Sequence, residues 1–239
     1  MFTRYHWAAG FVSGKRVLEL GCGSGPGLGY FRKHGAIQVV GSDIEDRNLE
    51  HARKHYANRA GIQFHVIDAQ TIPFPDASFD VVLMFEAIYY VHDAKRFLAE
   101  AFRVLPVGGV LLISTVNRGW PQFNPSPFSV WYPSARELYE ALVAAGFSVV
   151  MKGGFPDQPA SLARNLVRQV RRLAVKLRLI PDTMKGKELL KRIFYGKLET
   201  IPHELEENRF DREPLTLTDP MVPNSIHTFL YAEATRLER

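Results

Sequence analysis

The sequence predicts an α/β fold: a doubly wound, mostly parallel sheet of seven strands with helices on both faces. Three observations predict it. Short β-branched runs alternate with helical stretches from residue 16 to about 115, and a glycine-rich turn follows the first run. The 239 residues are 46% hydrophobic and 23% charged, an ordinary globular composition that excludes a disordered or collagen-like chain.

The predicted strands are short apolar runs bounded by Gly, Pro or Asp. Five of them precede residue 116, and they cover 16–20, 37–42, 62–67, 79–85 and 109–115. A sixth strand is predicted at 147–152 and a final one at 226–234. Sheets of this kind bind ligands beyond the carboxyl ends of their strands, where the strand order reverses, so the residues after each strand are the first site candidates.

Helices are predicted between these strands at 27–33, 46–58, 93–104 and 133–145. In the third of them Phe97, Ala101 and Val104 recur at helical spacing. Residues 156–222 show no strand alternation. We therefore expect a core domain of residues 1–155 and 223–239, with 156–222 inserted before the last strand as a helical cap that covers the acceptor substrate.

Charge is concentrated in this predicted cap. Residues 152–197 carry 12 Lys and Arg against 3 Asp and Glu, whereas residues 198–219 carry 2 against 7. Residues 161–179 predict a basic amphipathic helix, with leucines and valines on one face and five arginines on the other. Two interpretations stay open. The helix covers the active site with its arginines in water or paired with the acidic stretch, or it contacts an anionic membrane surface or phosphate groups.

The turn after the first strand has the pattern G-x-G-x-G, at Gly21, Gly23 and Gly25. Glycines let the backbone pass close to a ligand, although a tight turn alone would also require them. Pro26 stands where the dinucleotide fingerprint needs a glycine, and the Lys-Ser/Thr of a phosphate-binding loop is absent. The sequence therefore indicates a ligand other than a dinucleotide or a nucleoside triphosphate.

Two acidic residues follow the next strands of the predicted sheet. Asp43 ends the second strand, where a carboxylate can accept hydrogen bonds from both hydroxyls of a ribose. Asp68, followed by Ala69, ends the third strand on the side expected for an adenine edge. The alternatives are a helix N-cap for Asp43 and a turn aspartate for Asp68. Together with the glycine turn, these strand ends predict a nucleoside site.

With these motifs in order, the chain resembles the class I S-adenosylmethionine-dependent methyltransferases of the small-molecule type. The resemblance covers roughly residues 15–152 and the last strand. Its motifs are VLELGCGSG, GSDI, DAQTIPFPDASFDVVLMFEAIYYVHD and FRVLPVGGVLLIS, the last with Val107 where the family usually has a small or polar residue. The run RYHWA at 4–8 and the stretch NPSPF at 124–128 are similar to a subgroup associated with sugar and polysaccharide biosynthesis.

The resemblance implies S-adenosyl-L-methionine as the cofactor, S-adenosyl-L-homocysteine as the product and a Rossmann-like sheet. It also implies a role for each matching position. The methionine moiety would contact Glu19, Gly21 and Gly23, the ribose Asp43, the adenine Ile44, Asp68 and Ala69, and the cofactor ammonium the carbonyl of Phe85. Cys22, between two of these glycines, would be a small filler beside the cofactor and not an activated thiolate.

Candidate catalytic residues follow the fourth strand. His92 has an ordinary pKa near neutrality that suits a general base, but its position also suits local packing at the start of the next helix. Tyr89 and Tyr90 are expected to form pocket walls with a hydroxyl that orients the acceptor. Tyr5 and His6 are candidates to close the site from the N-terminal segment, although packing is the favoured role for Tyr5 and Trp7. No metal site is predicted.

These features predict methyl transfer to an oxygen or nitrogen of a small-molecule or lipid-linked acceptor, with a sugar slightly preferred. The alternatives are a non-catalytic nucleoside-binding scaffold or sensor and, disfavoured by Pro26, an NAD-dependent oxidoreductase. One cysteine and the lack of a signal-peptide pattern favour the cytoplasm, with peripheral membrane contact through 161–179 as an option. Nucleic acid is a disfavoured partner, because no aromatic-rich basic surface is visible. The sequence predicts no oligomeric state.

Overall fold

A computed structural model describes residues 1–157, 202–207 and 212–238. The predicted basic helix at 161–179 lies outside these residues, as does most of the predicted cap. By compactness the chain divides into one unit of Met1–Pro156 with Pro202–Arg239 and a second of Asp157–Ile201. Nearly all described residues belong to the first unit, which contains the sheet.

The described residues form one mixed sheet of eight strands. Its strands are β1 (Arg16–Leu20), β2 (Gln38–Asp43), β3 (Ile62–Val66), β4 (Val81–Phe85), β5 (Val110–Val116), β6 (Phe147–Pro156), β7 (Thr216–Leu217) and β8 (His227–Arg236). They lie in the order β3-β2-β1-β4-β5-β8-β6-β7. The first five strands in sequence run parallel, and β8 runs antiparallel between β5 and β6. The order reverses between β1 and β4, so a ligand cleft is expected beyond their carboxyl ends.

The described part of the chain has five α-helices, one before the first strand and four between strands. They are α1 (Phe2–Ala9), α2 (Leu28–Lys33), α3 (Asp46–His55), α4 (Ala94–Val104) and α5 (Ala135–Ala144). Asp93 caps α4 by accepting from Arg96 N, and Ser134 forms a capping box with Glu137 at the start of α5. A single turn of 3₁₀-helix, Ile88–Tyr90, follows β4.

The α/β class and the strand succession that the sequence predicts are confirmed. The strand count needs a correction, because β7 pairs with β6 through Lys152 and Gly153 at the sheet edge and makes eight strands instead of seven. Two residues are too few to show an alternating pattern. The sequence analysis also missed α1, and it extended the second predicted helix to residue 58, whereas α3 ends at His55.

The sheet buries apolar side chains on both faces. Alternation along the strands sends Leu18 and Met84 to one face and Val17 and Leu83 to the other. Helices α4 and α5 cover the first face, and α1, α2 and α3 cover the second. Two clusters of large fully buried side chains result, and they hold the carboxyl ends of β1 and β4 in fixed positions.

Residues 202–207 attach to the second of these faces. Leu205 is fully buried and donates its N–H to the carbonyl of Pro26. Beside it the Glu204 carboxylate contacts Lys33, His55 and Arg59 at 2.8, 3.2 and 2.9 Å. Burial alone would raise the pKa of the Glu204 carboxyl, but the hydrogen bonds from these three residues lower it to about 2. Glu204 thus ties this segment to α2 and to the end of α3.

Within the described ranges, no helix is both long enough and apolar enough to cross a membrane.

Candidate cofactor and acceptor site

The glycine turn between β1 and α2 forms the floor of the expected cleft. Gly21, Gly23 and Gly25 all have positive φ angles of 73°, 56° and 68°, a region that side chains disfavour. A Cβ on Gly21 would lie 2.8 Å from the Cβ of Ala87, so the turn packs closely against the segment after β4. A Cβ on Gly23 would meet no atom within 4 Å, which leaves open space in front of this residue.

Asp43 joins the end of β2 to the glycine turn. Its carboxylate accepts from Gly23 N at 3.0 Å, from Glu45 N at 3.1 Å and from Asn48 Nδ2 at 2.9 Å. The N-cap residue of α3 is Glu45, so Asp43 is not the N-cap that the alternative interpretation required. Asp43 is only 8% exposed, and its side chain lies beside the space at Gly23.

The neighbours of Asp43 and of the glycine turn are consistent with their sequence-based roles. Ile44 is 63% exposed directly after β2, so it offers an apolar surface at the sheet edge. Cys22 is buried, and burial raises the pKa of its thiol well above the ordinary value. A neutral, buried Cys22 is a space-filling residue, as the sequence indicates.

Asp68 follows β3 and lies in a local turn. Its carboxylate accepts from the backbone N and the Nε2 of Gln70, each at 2.9 Å. These bonds, with the nearby charges of Arg96 and His92, lower the pKa of Asp68. The side chain is exposed, and Ala69 beside it packs on the core. The turn role of Asp68 is thus present, and its contact with an adenine stays a prediction.

Glu19, in β1, is a buried carboxyl group with one unsatisfied oxygen. It is 1% exposed, and its Oε1 accepts from the hydroxyl of Tyr5 at 2.6 Å. Its Oε2 is buried and has no hydrogen-bond partner among the described residues. Burial raises the pKa of Glu19 to about 7, although the bond from Tyr5 and the charge of Arg4 oppose the rise. A buried oxygen without a partner indicates a ligand group at this position.

A second carboxyl group, largely buried with 16% of its side chain exposed, follows β4. Glu86 has a φ of +52°, a strained conformation for a non-glycine residue and one that is common at functional sites. Its Oε1 lies 3.3 Å from the Ser114 hydroxyl and 3.9 Å from Arg4 Nη1. Burial raises the pKa of Glu86 against the charge of Arg4. The ring of Phe85, one residue earlier, is buried and lies perpendicular to the Tyr5 ring, with the two ring centroids 5.3 Å apart.

The 3₁₀ turn after β4 presents the predicted aromatic residues. Tyr89 stacks on Tyr132 with ring centroids 4.7 Å apart, and its carbonyl accepts from Val130 N. Burial and the charge of Glu86 raise the pKa of Tyr89. Tyr90 packs its ring 4.6 Å from that of Tyr89 and is 52% exposed. These two side chains therefore form one wall, which the 121–134 loop extends.

His92 lies two residues after the 3₁₀ turn. It is exposed, it directly precedes the N-cap Asp93 of α4, and its charge acts on Asp68. The structure thus groups Tyr89 and Tyr90 with Glu86 and leaves His92 nearer the β3 end of the sheet. Its catalytic role stays a prediction.

The sequence analysis missed the roles of Arg4 and Tyr5. It favoured packing for Tyr5, whereas the structure gives this residue a hydrogen bond to Glu19 as well as packing. Phe2, Tyr5 and Ala9 are buried at intervals of three and four residues, a helical pattern that would have revealed α1. His6 points toward Tyr30 instead, with 3.1 Å between its Nδ1 and the hydroxyl.

These residues fit the expected cofactor. The free space at Gly23 and the adjacent Asp43 carboxylate suit a ribose, and the unpartnered Oε2 of Glu19 suits a cationic group. No group of three or more His, Cys, Asp or Glu side chains among the described residues is arranged to hold a metal ion.

Comparisons with known proteins identify similar proteins for this part of the chain. Residues 18–113 match the family model described as a methyltransferase domain. A probable S-adenosylmethionine-dependent methyltransferase of Mycolicibacterium smegmatis is 37% identical over 151 residues, 61% of this chain and 56% of that protein. A fatty-acid O-methyltransferase of the same species is 41% identical over 102 residues, covering 42% and 37% of the two chains.

A ubiquinone biosynthesis O-methyltransferase of Rhizobium johnstonii is 27% identical over 185 residues, 71% of this chain and 74% of that protein. The chain spans only 56% of the length of the Mycolicibacterium smegmatis relative with 37% identity. Among solved structures, an S-adenosylmethionine-dependent methyltransferase of Thermotoga maritima has a TM-score of 0.63 at 20% identity, with 98% of this chain and 88% of that one covered. This last likeness concerns the fold.

The matched region begins at Leu18 within β1 and includes the glycine turn, Asp43 and the Glu86 segment. Residues 18–113 therefore match a methyltransferase domain, and the chain is similar to S-adenosylmethionine-dependent methyltransferases, whose cofactor is S-adenosyl-L-methionine.

Proposed function

We propose that the protein transfers the methyl group of S-adenosyl-L-methionine to a hydroxyl or carboxyl oxygen of a small or lipid-linked acceptor. One observation carries the proposal. At the ends of β1 and β2 the Asp43 carboxylate accepts from Gly23 N, an arrangement that suits a ribose, and the largely buried Glu86 lies after the adjacent β4. Cofactor and acceptor would then meet at the point where the strand order reverses.

The chain's own residues would hold the cofactor in three places. Asp43 would accept from the ribose hydroxyls, and Ile44 would pack on the adenine, with Asp68 and Ala69 at its edge. The backbone of Gly21 and Gly23 would lie close to the methionine moiety, and Glu19 Oε2 would accept a hydrogen bond from a cationic group there. Cys22 would fill space beside it.

When bound, the cofactor supplies a methyl group on a positively charged sulfur, which is an excellent leaving group. The protein's tasks are therefore to align the acceptor oxygen with that methyl group and to exclude water. Tyr89 and Tyr90 would form the wall that aligns the acceptor. A hydroxyl acceptor must also lose a proton, and a buried carboxylate beside the wall would accept it. Glu86 meets this description better than the exposed His92.

The choice of oxygen and of an apolar acceptor rests on two kinds of support. The names of two relatives specify O-methyl transfer, one of them to a fatty acid. The 121–134 loop beside Tyr89 exposes apolar side chains, with Phe128 83% and Val130 51% exposed. A sugar and a nitrogen acceptor remain alternatives that only the sequence favours.

Residues 158–201 of the predicted 156–222 cap are proposed as the lid over the acceptor, because 202–207 pack on α2 and 216–217 form β7. The predicted basic helix at 161–179 would either cover the site or contact an anionic membrane. Sedimentation with phosphatidylglycerol liposomes at low salt tests the second role, and absence of binding would remove it. A cytoplasmic location, with or without such peripheral contact, is part of the same proposal.

The test is turnover with S-adenosyl-L-methionine labelled in its methyl group. Palmitate, catechol, a methyl glycoside and benzylamine represent the four acceptor classes, and the label and S-adenosyl-L-homocysteine are quantified. We expect S-adenosyl-L-homocysteine in excess of enzyme with an oxygen acceptor. Mass spectrometry of the purified protein for retained S-adenosyl-L-methionine completes the test. Retained cofactor without turnover on any acceptor would favour the non-catalytic scaffold, and bound NAD would favour the oxidoreductase.

A further inference from the structure

We propose that Tyr5 is a positioning residue that orients the Glu19 carboxylate toward a cationic group of the cofactor, so that cofactor binding releases a proton from Glu19. The inference rests on the proposed function, because it concerns the same cofactor. It adds a role for α1, which no match to the family model covers, since that match begins at residue 18.

The hydrogen bond between Tyr5 and Glu19 is short and dry. The hydroxyl lies 2.6 Å from Oε1, and the two residues are 3% and 1% exposed. The other oxygen of Glu19, Oε2, is equally buried and lacks a partner among the described residues. An ionised carboxylate with one hydrogen bond is costly in such surroundings, so below about pH 7 the free protein holds Glu19 protonated until a cation arrives.

The Tyr5 ring has no freedom to turn away. A Cβ on Gly27 would overlap the ring, so the glycine turn leaves just enough room for the phenol. The rings of Phe31 and Phe85 lie 5.6 and 5.3 Å from it on other sides. Tyr5 therefore fixes one oxygen of Glu19 and with it the direction of the other.

Among Glu19 and the titratable groups that face it, only Glu19 changes its charge near neutral pH. They come from α1 (Arg4 and Tyr5), from the glycine turn (Cys22) and from the end of α3 (Tyr56). Burial raises the pKa values of both tyrosines and of Cys22, so these three stay neutral, and Arg4 stays cationic. The pKa of Glu19 is about 7.

A cation at Oε2 favours the ionised form of Glu19. Binding below pH 7 must then expel the proton, whereas binding above pH 8 finds the carboxylate already ionised. By linkage the dissociation constant should rise about tenfold between pH 8 and pH 6. The hydrogen bond donated by Tyr5 also favours the ionised form of Glu19. Removing this bond should therefore move the pH at which the dissociation constant begins to rise, the break in the pH profile, upward by about one unit for a charge-assisted hydrogen bond of usual strength.

Calorimetric titration of the full chain with S-adenosyl-L-homocysteine tests the proposal without any acceptor. Titrations run from pH 5.5 to 8.5, each in two buffers of different ionisation enthalpy, so that released protons are counted. We expect close to one proton released at pH 6, almost none at pH 8.5, and the tenfold change in affinity.

Three variants separate positioning from packing. Tyr5→Phe keeps the ring and should move the break upward, and Glu19→Gln should remove both the proton release and the pH dependence. Tyr30→Phe is the matched control, because it removes a bond of the same kind, from the Tyr30 hydroxyl to Glu207 Oε2 at 2.7 Å, away from Glu19. It should leave the pH profile unchanged.

The outcomes are distinct. Binding without proton release and without pH dependence in the wild type would overturn this inference and leave the proposed function standing. A loss of affinity in Tyr5→Phe that is equal at every pH would reduce Tyr5 to a packing residue and also overturn it. No binding at any pH would overturn both. If Tyr5→Phe fails to fold, the two-buffer titration of the wild type and of Glu19→Gln decides alone.

Discussion

Asp43→Ala is the most direct perturbation of the cofactor site. The substitution removes a carboxylate that is 8% exposed and that accepts bonds from Gly23 N, Glu45 N and Asn48 Nδ2. It also removes the acceptor proposed for both ribose hydroxyls. The structure therefore predicts two separate costs, one to folding and one to cofactor binding.

The two costs differ in size. Glu45 and Asn48 are exposed and Gly23 is half-buried, so water can replace the lost carboxylate, and we expect folding to lose only about 1–2 kcal/mol. Two hydrogen bonds from ribose hydroxyls to a charged carboxylate contribute about 1.5–3 kcal/mol each. Their loss corresponds to an affinity reduced by about 10²- to 10⁴-fold.

Calorimetric titration with S-adenosyl-L-homocysteine measures the affinity, and circular dichroism measures the melting temperature of each variant. Asp46→Ala is the matched control, because the Asp46 carboxylate lies three residues away, is exposed and pairs with Arg53 at 2.6 Å. It should bind as the wild type does. Unchanged affinity in a folded Asp43→Ala variant would refute the assignment of the ribose site to the end of β2.

Three further perturbations test other parts of the structure. Glu86→Gln should lower kcat by about 10²-fold or more and leave S-adenosyl-L-homocysteine affinity unchanged if this carboxylate accepts the acceptor's proton; an undiminished kcat would argue against that role. Glu204→Gln should cost about 2 kcal/mol of unfolding free energy at pH 7, measured with urea, whereas the exposed Glu140→Gln should cost under about 0.5 kcal/mol. Because the pKa of Glu204 is lowered to about 2, the stabilisation from its carboxylate is present above the ordinary carboxyl pKa and disappears as the pH falls through 2. A Glu204→Gln variant that is still less stable than the wild type at pH 2 by the same amount would contradict this. Gly21→Ala should destabilise by about 1–3 kcal/mol more than Gly14→Ala, since both have φ near 70° but only Gly21 would meet a side chain; equal losses would mean that Ala87 shifts freely.

The parallel half of the sheet was predictable because the sequence of each strand and of the turn after it indicates that strand by itself. Each strand is an apolar run with a turn residue at its end, and β1 at Arg16–Leu20 agrees with its predicted bounds residue for residue. The glycine turn is equally local, since three residues in a row of five need a positive φ. The proposed role of Asp43 likewise follows from its position at the end of β2.

The parts that the sequence analysis missed depend on contacts between distant residues. Helix α1 has eight residues, no side-chain cap and no acidic residue in its first turn, so little within the segment favours a helix. Its stability comes from packing on α2 and β4, through Phe2 on Tyr30 and Tyr5 on Phe85. Strand β7 likewise exists only because β6 offers it an edge.

Helix α1 also explains why two buried carboxyl groups can occupy neighbouring strand ends. Consecutive residues of a helix point about 100° apart, so Arg4 reaches Glu86 after β4 while Tyr5 reaches Glu19 in β1. The Arg4 guanidinium offsets the negative charge of Glu86, and the Tyr5 hydroxyl donates a hydrogen bond to one of the two oxygens of Glu19. The two groups then have different uses. A carboxylate that binds a cation which the reaction leaves unchanged, such as the ammonium group that S-adenosyl-L-homocysteine also carries, stabilises the bound reactants and the transition state alike and so belongs to binding, as we propose for Glu19. A carboxylate that gains a proton during the reaction belongs to the chemistry, as we propose for Glu86.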